Sequence, residues 1–250
     1  MSERPLLEVS GVTMRFGGSV ALHNVALTAE AGTITGLIGP NGAGKTTMFN
    51  CITGLLAPSS GEVMVDGDDV TKLPPFQRAR RGISRTFQRL ELFTSLSVRE
   101  NITVAGQIRN RWHRQGVDVQ DKARHVMQKL GLTTIADREV SEIPTGMARR
   151  VEVARALMAD PKLLLLDEPA SGQDDRETDE FGDLLVELAA DGMGILLVEH
   201  DVPLVTRVCG RVHVLDFGRL IASGTADEIR ENQQVIDAYL GAVETAGDPA

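Results

Sequence analysis

The stretch Thr33-Ile34-Thr35-Gly36-Leu37-Ile38-Gly39-Pro40-Asn41-Gly42-Ala43-Gly44-Lys45-Thr46-Thr47 decides how the rest of the chain is read. Thr33–Ile38 predicts a buried strand that runs straight into a glycine-rich loop, with a helix from about Lys45 to Leu55. The segment Gly39 to Thr46 fits the pattern G-x-x-x-x-G-K-[ST] at every fixed position. Glycines let such a loop curl so that successive N–H groups point inward and form a nest for phosphate oxygens. The N-terminus of the following helix aims its dipole at the same anions. Lys45 adds a full positive charge, and the Thr46 hydroxyl is placed to ligate Mg²⁺. Gly39, Pro40, Asn41, Gly42, Ala43, Gly44, Lys45, Thr46 and Thr47 are therefore the expected nucleotide-binding residues. Gly36, Gly39 and Gly42 also invite a dinucleotide reading, but Gly44-Lys45-Thr46 argues for a triphosphate.

A second carboxylate-bearing strand completes that chemistry. Leu163-Leu164-Leu165-Leu166-Asp167-Glu168 is an apolar run ending in two acids. A carboxylate at a strand end beside the phosphate loop can hold Mg²⁺, directly or through water, and Asp167 fits that role. Glu168 would then point toward the γ-phosphate and polarise an attacking water.

Outward from these two segments the chain alternates strands and helices. Leu7–Phe16, Gly61–Asp66 and Ile195–Val198 predict further strands. Phe181, Leu184, Leu185 and Leu188 recur at helical spacing, with Asp174 or Asp175 to cap the helix and Gly192 to end it. This grammar predicts a doubly wound α/β sheet. Residues from about 88 to 159 break it, being polar, helix-rich and without a convincing strand, and they read as an inserted helical lobe. The core and β lobe then take about 1–87 and 160–241, with a polar, frayed tail from 242 to 250. Val212–Leu215 and Leu220–Ala222 flank Asp216-Phe217-Gly218-Arg219 as a hairpin, so Asp216-Phe217-Gly218 is a turn and not a kinase motif.

The composition sets limits. The 250 residues carry a formal charge of −9, which argues against a nucleic-acid partner. Two clusters, Arg78, Arg80, Arg81 and Arg85, and Arg109, Arg111, Arg114 and Lys122, read as solvated helix faces. Cys51 and Cys209 have no metal-ligand spacing. His23, His113, His125 and His213 form no cluster. Residues Met1 to Pro5 lack the pattern of a signal peptide, and no segment approaches the roughly 20 apolar residues of a membrane span.

With both motifs in one chain, the sequence resembles the ABC ATPases over about Leu6 to Gly241. The resemblance implies a P-loop (RecA-like) α/β core, an antiparallel β subdomain and an inserted helical subdomain. It implies ATP and Mg²⁺ as cofactors. Phe16, 29 residues before Lys45, falls where the family stacks an aromatic ring on adenine. Gln88, in Thr86-Phe87-Gln88, matches the glutamine that links core to helical lobe and senses Mg²⁺ and the γ-phosphate. His200, in Val198-Glu199-His200-Asp201, matches the histidine that touches the γ-phosphate. Ser171-Gly172-Gln173-Asp174 follows Asp167-Glu168-Pro169 as the family's dimer-contact loop does, with Ser171 and Asp174 as its contacts.

One segment departs from the family. Its Leu-Ser-Gly-Gly-Gln signature aligns with Ile143-Pro144-Thr145-Gly146-Met147, where only the second glycine, Gly146, survives. In ABC dimers this segment reaches the partner's γ-phosphate through a hydroxyl and backbone N–H groups. Pro144 has neither. Losing one hydrogen bond to a charged group costs about 1.5–3 kcal/mol, roughly ten- to over a hundredfold. A weakened site is expected at this segment, and a partner with an intact signature would leave one good site.

Within the family the likeness is to ATPase subunits of branched-chain amino acid importers. It rests on Met14-Arg15-Phe16-Gly17-Gly18, Gly82 through Gln88, Val198 through Asp201 and Ala238-Tyr239-Leu240-Gly241. It implies integral-membrane permease subunits, a second ABC ATPase subunit and an extracytoplasmic solute-binding protein as partners, at the cytoplasmic face of the cell membrane. The alternatives are a soluble ABC ATPase of iron–sulfur cluster assembly and a lipid or lipopolysaccharide exporter ATPase.

Overall fold

The computed structural model describes residues 4–112 and 116–245; residues 1–3, 113–115 (with His113 and Arg114) and 246–250 lie outside the described residues. Two sheets organise it. Strands β1 (Leu7–Phe16), β2 (Ser19–Ala29), β4 (Ser60–Val65) and β5 (Asp68–Asp69) form an antiparallel sheet in the order β2-β1-β4-β5. Strands β3 (Ile34–Ile38), β6 (Ile83–Arg85), β7 (Leu163–Asp167), β8 (Gly194–Val198), β9 (Arg211–Asp216) and β10 (Arg219–Gly224) form the larger sheet, ordered β10-β9-β3-β8-β7-β6. Its pairings are parallel except for the β9–β10 hairpin, which turns through Phe217 (φ +41°) and Gly218 (φ +73°) as a two-residue loop.

All residues of β3, β7 and β8 are buried, because both faces of this sheet are covered. Successive side chains point to opposite faces. Leu164 and Leu166 of β7, with Ile195 and Leu197 of β8, join an apolar cluster with the helices of the insertion and of the C-terminal half. Leu163, Leu165, Leu196 and Val198 join a second cluster with β1, β2, β4 and the helix after the phosphate loop.

The helices are α1 (Lys45–Thr53), α2 (Pro75–Arg80), α3 (Val98–Trp112), α4 (Val119–Lys129), α5 (Thr145–Leu157), α6 (Asp175–Ala190), α7 (Val202–Val208), α8 (Ala226–Arg230) and α9 (Gln233–Thr245). Helices α3, α4 and α5 fill the stretch where the sequence predicts an insertion. Helix α1 stops at Thr53 and not Leu55, because Gly54 turns left-handed at φ +80°. Asp174, not Asp175, caps α6: its side chain accepts from the Glu177 N–H, and Glu177 completes a capping box. Helix α9 continues through Thr245, three residues past the expected start of the tail.

The first arginine cluster is only half a solvated face: Arg80 and Arg81 are exposed, whereas Arg78 and Arg85 are not. The Arg78 side chain is among the largest fully buried ones. It donates to the carbonyls of Cys51, Ile52, Leu73 and Thr71 and so closes the C-terminal end of α1. In the second cluster, Arg109 and Lys122 converge on Asp160.

Candidate nucleotide site

The C-terminal edge of the larger sheet gathers the predicted residues. Strand β3 ends at Ile38 and opens into the phosphate loop; β8 lies beside it and ends before His200; β7 comes next and ends at Asp167, paired with Val198. Ligands bind at this edge in open α/β sheets because loops and helix N-termini converge there.

The loop has the shape an anion needs. A Cβ on Gly39 (φ +147°) would lie 2.0 Å from the Leu215 carbonyl oxygen, and one on Gly44 (φ +106°) 2.9 Å from that of Ala21. Gly42 (φ +81°) faces open space. Below the loop, Gly218 N–H donates to the Ala43 carbonyl (2.9 Å), tying the β9–β10 turn to it. Lys45 is buried at the start of α1, and its Nζ donates to the carbonyls of Gly39 (2.6 Å) and Pro40 (2.9 Å). Burial lowers the Lys45 pKa, and the charges of Glu168 and Asp167 oppose that shift. Phe16 ends β1 half-exposed and pairs with Ser19 across a tight turn. That hairpin flanks the loop, since Leu22 of β2 packs on Gly44.

The two acids differ sharply. Asp167 is buried, and burial raises its carboxyl above the usual range while the adjacent Arg85 guanidinium pulls it back. Arg85 is paired with it at 2.9 Å and is 7% exposed, so this arginine too leaves the expected solvated face. Glu168 takes a left-handed backbone (φ +50°), a strained geometry for a non-glycine residue, and donates its N–H to Val198 O. Gln88 Nε2 donates to Glu168 Oε2 at 3.0 Å, so the structure brings these two predicted residues together.

His200 projects from the end of β8 with its side chain largely exposed. Its backbone N–H donates to the buried Glu199 carboxylate (3.1 Å), whose other oxygen accepts from Ala170 N–H (2.8 Å). Burial raises the Glu199 carboxyl. Glu199 thus ties the histidine loop to the segment leading into Ser171, a role invisible in a sequence that offers only an acid beside a histidine. The Ser171 N–H donates to Glu168 O (3.2 Å).

At the degenerate signature, Pro144 is the N-cap of α5 with no side-chain cap, Thr145 begins the helix, and Gly146 is buried. A Cβ on Gly146 would lie 3.2 Å from the Glu177 carboxylate. Pro144 and Thr145 are exposed, and Met147 is half-buried against the apolar core.

The chain that gathers this loop, Lys45, Asp167, Glu168 and His200 at one sheet edge is similar to known proteins over most of its length. The family model described as ABC transporter fits residues 22–171. The chain belongs to the ABC transporter family of ATP-binding proteins. A second model, described as branched-chain amino acid ATP-binding cassette transporter, fits residues 219–245 of this ABC chain. The high-affinity branched-chain amino acid transport ATP-binding protein BraF of Pseudomonas aeruginosa is 40% identical, covering 95% of the chain and 98% of BraF. LivG of Escherichia coli, of the same description, is 41% identical with the same coverage. Among solved structures, the ADP conformation of MJ1267, an ATP-binding cassette of an ABC transporter, superposes with a TM-score of 0.87 at 29% identity, covering 96% of this chain and 100% of that one. ABC ATPases bind and hydrolyse ATP. No helix among the described residues is long and apolar enough to cross a membrane.

Proposed function

We propose that this ABC ATPase powers import of branched-chain amino acids or similar small polar solutes through separate permease subunits. The observation that carries the ATPase reading is the convergence of Lys45, Asp167, Glu168, Gln88 and His200 on one sheet edge. In this reading the loop from Gly39 to Thr47 holds the phosphates and Phe16 stacks on adenine. Thr46, Asp167 and Gln88 would hold Mg²⁺, which would supply positive charge beside the transferred phosphoryl group. The Asp167 carboxylate and the open nest at Gly42 suit such a group. Glu168 accepts the proton of the attacking water, and His200 contacts the γ-phosphate.

The transport assignment draws on the relatives, whose descriptions name branched-chain amino acid transport. They favour it over soluble iron–sulfur assembly. A groove of about 360 Å³ supports it: Leu55, Phe87, Ile108 and Trp112 line it and are all exposed. We read this groove as the seat of a cytoplasmic permease helix, and in this reading the protein works at the cytoplasmic face of the cell membrane. Ser171 and Asp174 belong to the contact with a second ABC ATPase subunit, and a solute-binding protein would deliver the cargo outside the membrane. The test is a tagged pull-down from detergent-solubilised membranes. Recovery of a polytopic permease and an unlike ATPase is expected; recovery of soluble scaffold proteins alone would overturn the transport reading.

A further inference from the structure

Arg85 has no assigned place in the nucleotide site, yet it touches Asp167, helix α1 and the segment that leads to Gln88. Its Nη2 donates to Asp167 Oδ2 (2.9 Å), its Nη1 to Asn50 Oδ1 (2.5 Å) and its Nε to the Thr86 carbonyl (3.2 Å). The guanidinium carbon lies 4.8 Å from the centre of the Phe87 ring and 5.5 Å from that of Phe49. Phe49 and Asn50 belong to α1, the helix that starts with Lys45 and Thr46. Phe87 precedes Gln88. The pair is buried, with side-chain exposures of 7% for Arg85 and 3% for Asp167.

We propose that Arg85 is a positioning residue for the metal-binding carboxylate. It holds Asp167 by one oxygen, leaves the other to the divalent cation of the nucleotide, and locks that carboxylate to α1 and to the segment carrying Gln88. The inference rests on the nucleotide-site reading above. Among the described residues, the side-chain hydrogen bond to Asp167 ends on Oδ2 alone, so Oδ1 stays available.

Two alternatives make different demands on the same geometry. A cation that merely fills the metal's place would be free to swing aside. Arg85 is not: it arrives from β6, paired in register with β7, and every guanidinium nitrogen is engaged. A purely structural ion pair would not need the link to Asn50, the residue that joins the carboxylate to the helix holding the phosphates. The planar fork serves Asp167 Oδ2 and Asn50 Oδ1 at once, and a lysine ammonium, a point charge, cannot reproduce it.

The test uses Arg85→Met, Arg85→Lys and Asn50→Ala in the full chain. Affinity for a fluorescent ATP analogue is measured in EDTA, Mn²⁺ affinity of the nucleotide complex by electron paramagnetic resonance, and the folded fraction by circular dichroism. Metal-free nucleotide affinity is expected to stay within about twofold, while Mn²⁺ binds about tenfold or more weakly in Arg85→Met. Arg85→Lys and Asn50→Ala should fall between it and the parent, and they carry the test if Arg85→Met does not fold. Unchanged Mn²⁺ affinity in folded variants would reduce Arg85 to a structural pair, and tighter Mn²⁺ would make it a competitor; either overturns the proposal. Failure of the parent to bind nucleotide in EDTA or with metal would instead overturn the site reading itself.

Discussion

Gln88 donates from Nε2 to Oε2 of Glu168 across 3.0 Å, joining the head of the helical insertion to the end of β7. The same glutamine is gripped from the other side. Arg149 of α5 donates to the Gln88 carbonyl (2.7 Å) and to that of Phe87 (3.1 Å), and it pairs with Glu152 at 3.0 Å in a buried contact. Glu152 in turn accepts from the Glu91 N–H (2.9 Å). Residues 87–91 at the groove are thus bonded both to the α5 helix and, through Gln88, to Glu168. The groove, the signature helix and Glu168 are joined by one continuous chain of hydrogen bonds.

Glu168→Gln tests the acid within that body. The substitution keeps a carbonyl oxygen able to accept from Gln88 and removes the proton acceptor. Nucleotide affinity should persist, while steady-state ATP hydrolysis falls by roughly 100-fold or more. The readout is phosphate release beside equilibrium binding of the same preparation. Full hydrolytic activity would remove Glu168 from the assigned role.

Much of this site was legible because its residue types are dictated locally. Gly39 and Gly44 follow from the loop's curvature, Lys45 from the charge the phosphates need, and Asp167 from an apolar run that ends in an acid. What stayed hidden lies in long-range pairings. Arg78 and Arg85 look like members of one basic cluster, yet both are buried, one on helix-end carbonyls and one on a carboxylate 82 residues away. Strand β6 is three residues long and carries no periodicity of its own; it exists because β7 offers it an edge. Nothing in the sequence assigns Glu199 a role, yet its buried carboxylate accepts from the Ala170 and His200 N–H groups.

The loop glycines separate shape from freedom. A Cβ at Gly39 would collide with a backbone carbonyl at 2.0 Å, while Gly42 meets nothing within 4 Å and needs only its positive φ. Gly42→Ala should cost about 1–2 kcal/mol, a drop in melting temperature of roughly 2–8 °C for a domain of this size. Gly39→Ala should lose far more, or fail to fold, because Leu215 is held in β9 and cannot retreat. Equal melting temperatures for the two variants would contradict the close approach.

His213 makes folding sensitive to acid. It is buried on β9, its Nε2 donates to the Thr28 carbonyl of β2 at 2.9 Å, and its Nδ1 is buried without a partner among the described residues. Burial lowers its pKa below the ordinary 6.5. The unfolded chain therefore takes up a proton that the folded one refuses. This contribution to stability is fully present above about 6.5 and is lost as the pH falls through that value toward the depressed folded one. His213→Gln keeps a donor for Thr28 and removes the titration. Urea unfolding followed across this window should show a flatter pH dependence than the parent, and an identical slope would exclude His213 as the source.

The signature offers a test in which stability and function part company. Pro144 caps α5 at φ −59° and ψ 154°, a backbone that serine adopts without strain, and no side chain caps the helix. Pro144→Ser would supply that cap, worth about 1 kcal/mol. The more flexible unfolded chain would cost about 0.4–1 kcal/mol in return. The melting temperature should therefore move little. The same substitution restores a hydroxyl and a backbone N–H next to the buried Gly146, the donors that a partner's γ-phosphate would meet across an ATP-bound dimer. Hydrolysis in the assembled complex should then rise about tenfold or more if this segment completes a partner's site. A complex whose turnover does not change, with Pro144→Ser folded and bound to its partner ATPase, would show that the Pro144 side of the dimer contributes nothing to hydrolysis.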